Sequence, residues 1–476
     1  MKTPEIRAAV EFTLPMTREQ AEAIYAQGPE AVVFVMMRLA QLADRSQEAS
    51  VASPRGPSTP SGMVPVFQKP TISRRRRKPG AKPGHTGARR RAPERVDRER
   101  VHEAPERCPD CGTPLRPSAQ RRFRLIEEME NVTPIVTRHV IGSARCPKCR
   151  RRVEPPVPDA LPKSQVGHRL VALTAWLHYG LGITLSRVAD VLNYHLQFQL
   201  SEGGMTAMWH RLAAIVRPWH EAIAREAISS GVLHADETGW RVNGQTHWLW
   251  CFANRNATYY MIERSRGSPA LSKFFATTFD GILVTDFWAA YRAVAGGGQQ
   301  ACLAHLFREL TAVDEANPSE SWRAFAKTLK RLLRDGLRLR RRRVQLPPNV
   351  FAGRRDRIRA RLDALLGFPA ADADVGRLIK RLSRYRDAIF TFLDHDDVPS
   401  DNNHAEREIR PAVLMRKNSF CNRSDRGAQA QAILMTVYRT LKIRGHNPLD
   451  VIVSALREYV QTGLLPPLPN PHTELR

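Results

Sequence analysis

The spacing of apolar positions changes along the chain, and each change marks a different kind of element. From Gln165 to about Arg225 it is helical: Leu170, Leu173, Leu177 and Leu181 recur on one face, and amphipathic segments follow at Leu185–Asn193 and Met205–Val216. After Gly231 the period drops to two. Val232–Thr238, Gly244–Ala253, Ala257–Glu263 and Ile282–Thr285 read as strands, the early ones joined by short polar turns. Residues 305–460 then read mainly as helix, so a strand-rich start closed by helices predicts an α/β core. Within it a helical stretch, roughly 312–400, is inserted. There Trp322, Phe325, Leu329 and Leu332 share a face while Arg338 and Arg340–Arg343 crowd the end, giving a basic amphipathic helix that is either a solvated outer face or a DNA contact. Near the start, Thr17-Arg-Glu-Gln20 is a capping-box pattern ahead of helical segments.

Charge narrows the class of partner. The 476 residues carry a formal charge of +27, which calls for a polyanion, either nucleic acid or an anionic membrane surface. No apolar stretch is long enough to span a bilayer, and Glu5, Glu11 and Pro15 interrupt any signal-like run, so a cytosolic nucleic-acid binder is expected. A Pro/Ser-rich stretch from about Ser53 to Pro70 runs into Arg74, Arg75, Arg76, Arg77, Lys78, Lys82 and Arg89–Arg91, nine positive charges without an acid between them. Its KPGAKPGHTG centre is too rich in Pro and Gly for regular structure. It is either a solvated linker or an arm that tracks DNA phosphates, and the size of its charge favours the arm.

Four of the seven cysteines form two CxxC pairs, Cys108/Cys111 and Cys146/Cys149, 34 residues apart. Four thiolates in this spacing can surround one Zn²⁺ tetrahedrally, and the β-branched segment between them predicts a zinc-ribbon-like module. The remaining Cys251, Cys302 and Cys421 are isolated, as suits a reducing compartment.

Two acids stand in the strand-forming region. Asp236 shares a face with His234 and Thr238, and Asp286 shares one with Ile282 and Val284, each read as lying at a strand end. An acid there costs burial energy unless a cation compensates it, and two on neighbouring strands can share a hard divalent ion. A third, Glu406, lies three residues after Asn403, where a capping-box glutamate would sit if Asn403 were the N-cap. Its company on the same helix, Arg407, Arg410, Arg416 and Lys417, favours a metal-and-phosphate role instead, with Arg410 one turn on and projecting alongside it. His305 and Arg308 share a helix face and either support a phosphate or form an ordinary surface pair. Trp240, Trp248 and Trp250 alternate as core residues do, with base stacking the alternative. A tyrosine recombinase built on Tyr438 and His446 fits only loosely, and no two of the 15 histidines have the His-x-His spacing of replication nucleases.

Taken in order, HADETGWRVNG, LVTDFWAAY, QQACLAHLFREL and DNNHAEREIRP resemble the DDE transposases of bacterial insertion sequences, and in particular the insertion sequence sixty-six family. TREQAEAIYAQGPEA, KPGAKPGHTG and the paired CxxC module resemble that family's other parts, so the likeness covers nearly the whole chain. The resemblance implies a multidomain α/β protein with a ribonuclease-H-like catalytic core. It further implies Asp236, Asp286 and Glu406 as an acidic triad holding Mg²⁺ (or Mn²⁺), and two-metal-ion cleavage of transposon ends followed by joining of the 3′ hydroxyl to target DNA. The expected layout is an N-terminal helical segment (1–50), a basic linker (51–100), a zinc module (101–155), a helical DNA-binding region (160–228), the core with its insertion (229–440) and a C-terminal helix and tail (441–476). Double-stranded DNA is the expected partner, with a homo-oligomer on paired ends and possible accessory transposition proteins. The competing expectation is a non-catalytic zinc-containing regulator derived from such a protein.

Overall fold

The computed structural model describes residues 18–26, positions within 28–36, and 93–116, 123–127, 132–276 and 278–472. The basic run with Arg74, Arg75, Arg76 and Arg77 lies outside the described residues. Helix α1, Arg18–Tyr25, follows Thr17 directly and belongs to a separate compact unit, Met1–Thr59.

In the zinc module the described residues form one short ribbon, Ala144–Arg145 paired with Arg152–Val153. The β-branched segment before it is otherwise without strands among the described residues and leaves Ile135 and Val136 more than nine-tenths exposed. Strand propensity alone therefore does not make strands here, because no apolar surface among the described residues covers these exposed side chains.

The helical period after Gln165 gives α2, His168–Ala175, extended by a π-turn at Trp176–Gly180, and α3, Leu185–Asp190, extended likewise at Val191–His195. Helix α4, Glu202–Ile228, is capped by Ser201, whose Oγ accepts from the Gly204 N–H at 3.1 Å.

The sheet follows as β1 (Val232–Val242), β2 (Gln245–Ala253), β3 (Thr258–Glu263), β4 (Ile282–Thr285) and β5 (Gln299–Ala301). Its order is β3-β2-β1-β4-β5. The first three strands form antiparallel hairpins, while β4 and β5 lie parallel to β1. The β1–β2 hairpin turns at Asn243-Gly244 with φ of +49° and +73°, the left-handed pair that this turn demands. Helix α5, Ser268–Phe275, crosses between β3 and β4. Helices α6 (Leu303–Ala316), α7 (Glu320–Arg341), α8 (Pro348–Leu366), α9 (Ala373–Arg384), α10 (Asn403–Ser419), α11 (Asp425–Ile443) and α12 (Pro448–Thr462) complete the chain.

Three apolar clusters hold these layers. The even-numbered face of β1, with Trp240 and Val242, packs into one cluster with Trp209 of α4, Ala412 of α10 and Tyr438 of α11. The helices at 160–228 thus share a core with the sheet. Tyr438 is buried and its hydroxyl donates to the Ala172 carbonyl at 2.8 Å, which removes it as a recombinase nucleophile. The odd-numbered face, with Leu233 and Ala235, packs with Trp248, Trp250, Phe252 and Phe274, so the tryptophans are core residues. The third cluster joins the insertion to the sheet: Trp322, Phe325, Leu329 and Leu332, almost wholly buried, share it with Ile282 and Val284 of β4 and Ala301 of β5. Part of its basic end is neutralised internally, Arg340 and Arg343 both pairing with Asp396.

Trp322 also donates its indole N–H to Asp314 at 3.0 Å. Trp322→Ala is expected to destabilise the insertion by about 3–5 kcal/mol, read as a lower denaturant midpoint. An unchanged midpoint would contradict a tightly packed core there.

Candidate active site

Strand pairing brings the first two acids together. Val232, Leu233 and His234 of β1 face Ile282, Leu283 and Val284 of β4, and two residues further along each segment stand Asp236 and Asp286, close enough for the Asp286 charge to act on Asp236. Asp286 lies just past the end of β4, as expected. Asp236 does not lie at a strand end: β1 runs on to Val242 because the hairpin with β2 stays paired, with Asp236 opposite Cys251 and Val242 opposite Gln245. One oxygen of each acid is held locally, Asp236 Oδ1 by the Glu237 N–H at 2.9 Å and Asp286 Oδ1 by the Trp288 N–H at 2.8 Å.

Glu406 arrives on the first turn of α10. The N-cap is Asn402, not Asn403, whose own N–H is satisfied by Asp401 at 3.0 Å. Asn402 does not cap with its side chain. It is wholly buried and turned to the sheet, Nδ2 donating to the Ala235 carbonyl at 2.8 Å and Oδ1 meeting His234 Nδ1 at 3.0 Å. The Glu406 carboxylate is likewise free of capping duty. It accepts from Arg308 at 2.7 Å, with His305 Nδ1 at 3.6 Å. Its ion-pair partners thus come from α6 and not from Arg410, which is exposed on α10 with Arg407 and Lys417, while Arg416 is half-buried.

The acids feel one another strongly. Burial, then the charges of Glu237, Asp286 and Glu406, push the Asp236 carboxyl well above its ordinary range. Burial and the Glu237 and Glu406 charges push Asp286 up to about 7, against the pull of Arg266 and the Trp288 N–H. Burial, reinforced by Arg308, holds the His305 imidazole down to about 4, so it is neutral at physiological pH.

Residues that sequence reading passed over hold the site from behind. Glu237 must face away from Asp236 by strand alternation, and it is buried against Arg266 (2.9 Å) and the Tyr291 hydroxyl (2.5 Å). The Arg266 guanidinium stacks on Trp288 at 3.8 Å and on Trp248 at 4.6 Å. Both strand motifs are therefore tied together behind the acids. The signal was present in the adjacent acids of DET, because an acid on the apolar face requires a cation. On α10, Glu408 plays a similar structural part, accepting from Arg439 at 2.7 Å.

The two CxxC turns are alike. Cys108 N–H bonds to the Thr113 carbonyl at 2.9 Å and Cys146 N–H to that of Arg151 at 2.8 Å, with left-handed residues at Gly112 and Arg150. Hydrogen bonds from Thr113 hold the Cys111 thiol below its ordinary range, and those from Cys149 do the same for Cys146, which favours the thiolate form that zinc takes. The thiols are matched within each turn. Among the described residues, the set of three metal-capable side chains with ligand atoms mutually within 4.8 Å is Cys302, His305 and Glu406, so the four cysteines are not gathered into one closed set.

A mixed sheet that gathers acids, a module of paired CxxC turns and a high positive charge are the features of this chain that point to nucleic-acid processing. A family model described as "Transposase IS66 family" matches residues 163–430, and one described as "zinc-finger binding domain of transposase IS66" matches residues 105–150. The first spans more than half the chain, and the chain belongs to the IS66 transposase family; the second supports structural zinc at its cysteine turns. Among relatives from Sinorhizobium fredii (strain NBRC 101917 / NGR234), "Uncharacterized protein y4qI" is 27% identical over 45% of this chain and 44% of its own length. "Uncharacterized protein y4jD" is 25% identical over 43% and 42%, and "Uncharacterized protein y4hP" 21% identical over 79% and 75%. The chain spans less than half the length of the first two. No helix among the described residues is long and apolar enough to cross a membrane.

The raised Asp286 sets a pH signature. Its folded-state pKa, about 7, exceeds the ordinary carboxyl value of 3.8, so the folded protein holds the extra proton between those values and stability falls as pH rises through that window. In metal-free buffer the melting temperature should fall from about pH 5 to about pH 8, and Asp286→Asn should flatten the slope. An equal slope in the variant would contradict the charge assignment. Asn402→Ala, which strips the Ala235 carbonyl and His234 of a buried partner, should cost about 1–3 kcal/mol in chemical denaturation; a cost near zero would remove Asn402 as the link between strand and helix.

Proposed function

We propose that this transposase cuts transposon ends and joins the freed 3′ hydroxyl to target DNA on a ribonuclease-H-like core, with Asp236, Asp286 and Glu406 as its catalytic carboxylates. The observation that carries this reading is the parallel register of β1 and β4, which leads to Asp236 and Asp286, together with carboxyl pKa values pushed up by burial and by the neighbouring acids. The strand order, three antiparallel strands followed by two parallel ones beyond β1, supports the fold part of the reading.

The donor set fits Mg²⁺ or Mn²⁺, being three carboxylates whose mutual repulsion a hard dication relieves. Divalent ions bound there supply Lewis-acid stabilisation of the attacking, leaving and non-bridging phosphate oxygens. The protein's own part is positional. Asp236 and Asp286 are fixed by the sheet, and Glu406 is released when exposed Arg308 leaves it for a phosphate. Arg407, Arg410 and Lys417 face solvent on α10 and contact the DNA backbone, with Arg416 beside them. Arg74–Arg77 extend that contact along the duplex, and the zinc module adds a DNA-binding element. The chain works as a homo-oligomer on paired ends in the bacterial cytoplasm, in association with the nucleoid and with accessory transposition proteins.

With the terminal inverted repeats as substrate, Asp236→Asn should lower Mg²⁺-dependent cleavage by on the order of a thousandfold or more while DNA affinity stays within about twofold. Loss of both together would contradict a catalytic role for Asp236. DNA binding without cleavage in the parent chain would favour a regulator descended from a transposase.

A further inference from the structure

Two side chains outside the three carboxylates, Cys302 and His305, meet Glu406 in one place. Cys302 is the N-cap of α6 and wholly buried, and His305 lies on the first turn. Their three-residue spacing puts both on the helix side that faces the start of α10. The Cys302 sulfur, a His305 ring nitrogen and a Glu406 carboxylate oxygen all lie within 4.8 Å of one another. His305 Nδ1 is 3.6 Å from Glu406 Oε1, close to the edge of about 3.4 Å expected between ligands of a tetrahedral ion with bonds near 2.1 Å. That same Nδ1 is shielded from solvent and has no hydrogen-bond partner. A buried ring nitrogen left without a partner beside a thiol and a carboxylate is an incomplete coordination set. A cation already sits against it: Arg308 reaches Glu406 at 2.7 Å and His305 Nε2 at 3.2 Å, and its side chain is more than half exposed and free to withdraw.

We infer that Cys302, His305 and Glu406 form a second metal site, selective for a thiophilic divalent ion such as Zn²⁺, whose occupancy withdraws Glu406 from Asp236 and Asp286. Sulfur and imidazole donors exclude Mg²⁺ in favour of zinc-like ions, whereas the two aspartates have the opposite preference. Glu406 is the one ligand common to both sets. On binding, the Cys302 thiol proton passes to solvent, Arg308 leaves, and water takes the fourth position. The metal site stands on its own geometry, while the loss of activity rests on the catalytic reading of Glu406 given above.

Zinc content per full-length chain, after dialysis against a weak chelator, tests the site. The expected count is two for the parent chain, one at the CxxC turns and one here. Cys302→Ser and His305→Gln should each retain one. Serine still offers Asn402 N–H an acceptor in place of the Cys302 sulfur at 3.2 Å, and melting curves check that both variants fold. One zinc per chain in the parent and in both variants would overturn the site. For the consequence, in chain stripped of metal and reloaded, the second equivalent of Zn²⁺ should suppress Mg²⁺-dependent cleavage at least tenfold in the parent, and Cys302→Ser should resist it relative to its own Mg²⁺ rate. Equal suppression in both would overturn the competition for Glu406. A parent chain without cleavage in any metal would instead count against the catalytic reading, and the zinc count would still decide the site.

Discussion

Helix α10 is fastened to β1 at both ends, and the position of the third acid depends on that. At its start, Asn402 donates to the Ala235 carbonyl, meets His234 and gives its N–H to the Cys302 sulfur. Past its end, Asn422 bridges to Val242, accepts from the Trp240 indole at 2.7 Å and exchanges backbone bonds with Arg241 and Asn243. Seventeen helical residues span about 25 Å, and the seven strand steps from Ala235 to Val242 span about 23 Å. Helix and strand are thus matched in length, and Glu406 is delivered one turn from the strand that carries Asp236.

This fastening concentrates negative charge that the protein does not itself neutralise. The acid behind the strand, Glu237, is matched by Arg266 and Tyr291 and serves structure. Among the described residues Asp236 and Asp286 accept from backbone donors, with the Arg266 charge also acting on Asp286, and Glu406 has a cation that is largely exposed. The division follows from the two-residue period of β1: Glu237 lies on the face completed by Arg266 and Tyr291, whereas Asp236 lies on the face that packs Trp240 and Val242 into the core and accepts there from the Glu237 N–H. Burial of partly uncompensated acids is a cost that a purely structural site would have no reason to carry.

Much of this was legible in the chain. The four strands, the Asp236–Asp286 pairing on neighbouring strands and the apolar face of α7 all follow from period and burial, which are local properties. Other features depended on partners distant in sequence. Asn402 and Asn403 are adjacent and chemically identical, so cap preference cannot choose between them; the Ala235 carbonyl does. Asp236 was expected at a strand end because the apolar run weakens there, but pairing with β2 carries the strand six residues further. The described residues between the CxxC turns are strand-forming in type yet form little sheet, and Ile135 and Val136 are exposed. Arg308 and His305 could be assigned to Glu406 only once α6 and α10 were seen to meet.

The account stands or falls on whether the three carboxylates share cations. Anomalous scattering from crystals of the full chain soaked in Mn²⁺ measures this directly. Expected is Mn²⁺ between Asp236 and Asp286, with the Glu406 carboxylate turned away from Arg308 to join it. Mn²⁺ elsewhere, or none at these residues while Glu406 stays paired with Arg308, would contradict the account.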